Sequence, residues 1–190
     1  MVGSGYKKLM WGILISALHI NIGTAIGVIQ ILPSTVGFYI MYLGAKELYE
    51  GAELDYMQKV KNDAMTMVMI SAAYWAYGFL FDYTGVVGKG LGICTYIMEL
   101  LLYGDMLNMT VKYYKENSRT READLMRKKR MTFIKCFMAL LVVHLINMIP
   151  FSAINENLFL ITTFLGYTCD TLMVMMKIWL SLIIQKLGNE

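Results

Sequence analysis

Charge is scarce in this sequence: 16% of its 190 residues are Asp, Glu, Lys or Arg, where soluble domains carry about 25%. Proline is scarcer still. Pro33 and Pro150 are the only two, so long stretches are free of helix breakers. Cysteine numbers three, Cys94, Cys136 and Cys169, each inside an apolar run. An odd set of thiols at these spacings excludes a disulfide framework and matches no zinc motif. With two histidines in the whole chain, His19 and His144, a His-Glu-x-x-His or His-x-x-x-His arrangement is also excluded. No Gly-x-Ser-x-Gly elbow occurs. The glycine-rich run from Gly85 to Gly92 lacks the Gly-Lys-Ser/Thr ending that a phosphate loop requires. A net charge of +3 without a basic face argues against a nucleic-acid partner.

What the sequence has instead is apolar mass. The hydrophobic fraction is 57% and the mean hydropathy +0.52. That leaves too little polar surface to clothe a water-facing globule, so lipid is the expected solvent. A spanning helix needs about 20 apolar residues to cross a hydrocarbon core of about 30 Å. Stretches at 9–32, 34–49, 64–81, 86–111, 131–149 and 158–184 meet or approach that length. The expected fold class is therefore all-α, a polytopic transmembrane helical bundle of six spans forming one integral membrane domain over 1–190. Lys7 and Lys8 ahead of the first run resemble a secretory signal, but that run is too long for a signal core. The second stretch is short and follows Pro33, so a re-entrant hairpin is the alternative there.

Lysine and arginine placement decides between five and six spans, because cytoplasmic loops are enriched in both. With six spans and both termini inside, Lys89 is the one basic residue in an outer segment. Lys135 and Lys177 fall within the inner halves of their helices, and all the others lie on the inner side. Five spans with a re-entrant segment would place Lys59, Lys61 and the Lys112–Arg130 cluster, which contains the basic 115–130 segment, outside. That segment, expected as the one hydrophilic loop, would lie against anionic lipid.

Ionisable residues in a bilayer core are costly and are the natural candidates for function. Counting about 1.5 Å per residue from the helix ends puts His19, Glu99, His144 and Asp170 about 15–20 Å deep, in one slab. Asn21 and Asn147 lie beside the two histidines as hydrogen-bonding partners. These six residues form the expected ligand-binding set, suited to a small molecule, a cation or a proton. Asp105 and Lys177, both in the inner third, are the expected structural ion pair. Two imidazoles and two carboxylates would also suit a divalent metal, so an intramembrane metal-dependent enzyme is one alternative. The other is a non-catalytic accessory or immunity protein that binds a membrane-protein partner or a second copy of itself. No cofactor is expected, and an enzyme is the less favoured class.

The segment Ile31-Leu32-Pro33-Ser34-Thr35-Val36-Gly37-Phe38-Tyr39-Ile40, with Gly44, is similar to an Ile-Leu-Pro-x-x-Ile/Val-Gly-Tyr/Phe stretch. That stretch recurs in small multi-span membrane proteins of Gram-positive bacteria. The resemblance implies a bacterial cell membrane and no particular activity. Acidic residues that flank the proline in those proteins are replaced here by Gln30 and Ser34. In size and span count the chain also resembles the substrate-binding subunits of energy-coupling vitamin transporters, without their motifs.

Overall fold

The computed structural model describes residues 2–18, 21–24, 27–30, 34–51, 53–81, 86–146 and 156–189. Among the described residues six α-helices carry the fold: α1 (Val2–Ala17), α2 (Ser34–Lys46), α3 (Met57–Leu80), α4 (Val86–Glu116), α5 (Thr120–Ile146) and α6 (Glu156–Asn189). The all-α expectation holds, with one addition: a two-stranded antiparallel hairpin, β1 (Asn21–Thr24) with β2 (Gly27–Gln30). Two helices, over Val87–Glu116 and Leu160–Asn189, are long and apolar enough to cross a membrane.

The hairpin corrects the expected first span. A continuous helix over 9–32 does not form: α1 begins seven residues earlier and stops at Ala17. Ile22, Thr24, Val28 and Ile29 are β-branched and are interleaved with Gly23 and Gly27. β-branching restricts χ1 in a helix and suits a pleated strand, and glycine weakens a helix further. Hydropathy sums these residues as lipid-compatible and is blind to that preference. Pro33, the expected break before α2, lies outside the described residues.

A second correction concerns the 115–130 segment, which is helix rather than loop. α4 runs to Glu116, α5 starts at Thr120, and only three residues turn the chain. The turn closes as a Schellman motif: the Arg119 amide donates to the Tyr114 carbonyl at 2.8 Å and the Ser118 amide to the Lys115 carbonyl at 3.0 Å. Ser118 holds the left-handed position at φ 57°, where a side chain costs about 1–2 kcal/mol. Ser118→Gly is accordingly expected to stabilise the protein by about 1 kcal/mol, read as a raised unfolding midpoint. A lowered midpoint would mean the serine hydroxyl has a role that the turn geometry does not supply.

Each helix packs against the next, and α6 closes on α1. Consecutive helices run antiparallel: Gly5 lies against Gly44 and Gly12 against Gly37 on α1 and α2, and Gly3 faces Gly188 across α1 and α6. The ends carrying Lys7, Lys46, Lys59, Lys115, Lys128 and Lys186 therefore gather at one pole, together with the first turn of α1 and the last turn of α6. Lys8 pairs there with Glu47, and Lys61 sits 4.4 Å over the Tyr49 ring. Both contacts involve a π-helical turn, Glu47–Gly51, that extends α2.

The core is a column of aromatic and thioether side chains. Tyr6 stands edge-on to Tyr113, Tyr103 edge-on to Phe133, and Phe133 stacks on Trp179. Burial is uneven along the bundle. On α3, α4 and α6 the buried side chains begin at Ser71, Glu99 and Cys169 and run toward the basic pole. Beyond those levels, toward the other pole, these three helices bury no side chain among the described residues. Trp11, Leu80, Phe81, Leu160, Phe164 and Tyr167 are all more than half exposed. So much exposed apolar surface on a single chain is the mark of a face that meets lipid or a partner rather than water.

Candidate functional site

At the level where the tight core ends, three helices contribute ionisable groups. On α4, Tyr96, Glu99 and Tyr103 recur at three- and four-residue spacing, which sets them on one face. That face looks toward α6, where Asp170 and Lys177 stand two turns apart on the facing side. His144, in the last turn of α5, completes the group. Because α4 and α6 run parallel, Tyr96 meets Asp170 one level above the point where Glu99 meets Lys177.

Lys177 Nζ donates to Glu99 Oε1 at 2.8 Å, with 7% and 5% of the two side chains exposed. Tyr103 lies below, its ring centroid 5.8 Å from the same ammonium and its hydroxyl 3.1 Å from Ser16 Oγ of α1. The other carboxylate oxygen, Glu99 Oε2, is buried and makes no hydrogen bond among the described residues. A buried acceptor without a donor is costly and calls for an explanation. At the level above, Asp170 is 53% exposed, while His144 Nε2, 3.2 Å from Asp170 Oδ1, is buried and makes no hydrogen bond among the described residues. The Tyr96 ring lies against the His144 ring, tilted by 35° with centroids 4.4 Å apart, and Tyr96 interacts through its hydroxyl with Asp170.

The structure thus brings together Glu99, His144 and Asp170 of the expected set. His19 and Asn147 lie outside the described residues, and of Asn21 only the backbone, in β1, is described. The expected Asp105–Lys177 pair is corrected: Lys177 belongs to Glu99, and Asp105 pairs with Lys59 of α3 at 2.8 Å. Asp105 lies six residues beyond Glu99, about 9 Å further along α4. A lysine two turns below Asp170 reaches the nearer carboxylate. Depth counted along the chain ranks both acids as candidates, and only the packed helices choose.

Three residues escaped sequence reading. Tyr96 and Tyr103 look like ordinary interfacial or core aromatics until their spacing with Glu99 is noted. Asp63, just ahead of the expected 64–81 span, lies against Asp105. Burial first, then a hydrogen bond shared with Asp105 and that carboxylate's charge, push its pKa up to about 6. Lys59 beside it is held above its ordinary value by the Asp105 carboxylate. Among the described residues no three His, Cys, Asp or Glu side chains come together as a metal would need.

Compared with protein-family models, with curated proteins and with solved structures, the chain matches none. The functional reading rests on geometry alone.

Proposed function

We propose that this chain is a six-span protein of the cell membrane, its basic pole in the cytoplasm, that binds a small cation or cationic molecule in the seam between α4, α5 and α6. The observation that carries the reading is the buried Glu99 Oε2, which finds no donor among the described residues, beside a lysine that already acts as an internal cation. A desolvated carboxylate is expensive to maintain. One whose second oxygen finds no donor among the described residues is poised to accept a metal cation or an ammonium. Asp170, half exposed beside His144 on the loosened side, supplies a station through which such a ligand would arrive from outside. Lys177 supplies the resting counter-charge that it displaces.

Membrane embedding itself is supported by the two long apolar helices, the exposed apolar belt and the gathering of basic side chains at one pole. α1 and α2 are short for spans, about 24 and 20 Å of helix. The π-helical turn and the snorkelling of Lys7, Lys8 and Lys46 would make up the difference.

The test is thermal unfolding of the purified protein in detergent against Na⁺, K⁺, Ca²⁺, methylammonium and guanidinium in turn. A ligand present at 100 times its Kd is expected to stabilise the wild type by about 2.7 kcal/mol. Glu99→Gln should abolish that gain, and Asp170→Asn, at the half-exposed station, should weaken it while leaving the apo protein folded. A wild type indifferent to every probe, or variants that respond as the wild type does, would refute the seam as a binding site. The latter outcome would favour the accessory-protein alternative, which tolerates change at these residues.

A further inference from the structure

A second site lies between α5 and α6, lined by none of the seam's ionisable side chains. The two helices enclose an apolar groove of about 480 Å³ there. Thr132, Phe133, Cys136 and Ala139 line it from α5, and Met175 and Trp179 from α6. Its walls offer almost nothing that hydrogen-bonds. At the basic pole the groove runs up against lysines. Lys128 precedes Thr132 by one turn on the same face, and Lys129 sits 5.9 Å over the ring of Trp179. On α6 the stripe that includes Met175 and Trp179 continues two turns on to Lys186.

Length identifies the occupant. From Lys128 to Leu140 is twelve residues, about 18 Å of helix. That is close to one leaflet of a hydrocarbon core of about 30 Å and too short for a partner's spanning helix. An apolar slot one leaflet deep, with cations at its cytoplasmic mouth and none along its walls, fits one acyl chain with its anionic headgroup at the surface. We infer that the α5–α6 groove is a binding site for an anionic phospholipid of the inner leaflet, with Lys128 and Lys129 holding the headgroup phosphate. Asp124, one turn beyond Lys128, limits how far out along α5 the headgroup sits. The inference rests on the membrane reading but not on ligand binding by Glu99, so failure of either site leaves the other standing.

Native mass spectrometry of the protein released from nanodiscs of equal phosphatidylglycerol and phosphatidylcholine tests it. The wild type is expected to retain phosphatidylglycerol preferentially. A Lys near the membrane surface contributes about fivefold toward an anionic lipid, so Lys128→Gln with Lys129→Gln should lower the preference roughly 25-fold. Ala139→Trp, which fills the groove, should remove both lipids. Independently of any substitution, alkylation of the exposed Cys136 by N-ethylmaleimide should slow when phosphatidylglycerol is added, while Cys94 is unaffected. Equal retention of the two lipids by the wild type would overturn the inference. So would a Cys136–Cys136 disulfide forming in high yield between two copies, which would give the groove to a second protomer.

Discussion

Lys177→Met is expected to destabilise the protein by about 3–5 kcal/mol, the cost of leaving one member of a buried pair charged and alone. With 5% of its side chain exposed, Glu99 is nearly closed off from solvent, and its second oxygen finds no donor among the described residues. The partner change Glu99→Gln should cost a similar amount by stranding the ammonium. The two made together are expected to recover most of the loss, because a neutral pair of similar volume pays no desolvation penalty. Chemical denaturation in detergent of the wild type, both singles and the double measures this as a double-mutant cycle. Simple additivity, with the double the least stable of the four, would show that the two groups do not depend on each other. Lys59 and Asp105 form a contrasting pair. Their separation is the same 2.8 Å, but Lys59 is 70% exposed, so solvent screening limits that bridge to under about 1 kcal/mol. Equal distances therefore predict very different losses.

Gly37→Ala should be nearly as damaging, about 3 kcal/mol or more, although it adds a single methyl group. A Cβ at Gly37 would fall onto the backbone amide of Ser16, with the Gly12 carbonyl oxygen at 2.6 Å and Ser16 Cα at 2.8 Å. None of these atoms belongs to a side chain that can swing away, so α1 and α2 would have to separate. The same geometry recurs seven residues on, where a Cβ at Gly44 would meet the Gly5 carbonyl at 2.7 Å. Two glycines on each helix, one heptad apart, thus let the backbones touch, the close approach that small residues permit in membrane helices. Gly90→Ala is the control. Nothing lies within 4 Å of its added methyl, and alanine is the better helix former by about 1 kcal/mol. Unfolding midpoints for the two variants should move in opposite directions. Equal effects would mean that the α1–α2 contact is looser than described.

Those glycines show how sequence and structure divide the problem. Gly23 with Gly27 and Gly88 with Gly92 also stand at the four-residue spacing of small residues that lets membrane helices approach closely. Gly23 and Gly27 belong to the hairpin strands, and a Cβ at Gly92 would meet nothing nearer than the Tyr74 hydroxyl at 3.5 Å. The working set, Gly5, Gly12, Gly37 and Gly44, was present in the sequence as two heptad-spaced pairs. Spacing along one helix does not say which partner it faces.

By itself the sequence determined that this chain is helical, apolar and charged mainly at one pole. Those properties are sums over many residues, so they survive ignorance of any single contact. It also singled out Glu99, His144, Asp170 and Lys177, because an ionisable side chain in an apolar run stands out wherever it lands. Only the packed helices decided that Lys177 neutralises Glu99 rather than Asp105, that Tyr96 joins His144 to Asp170, and that residues after Ala17 leave the helix for a hairpin. Each of those outcomes turns on a few ångströms of register between elements distant in the chain. Such register is set by which glycines and side chains interlock, a property of pairs of segments that no segment carries alone.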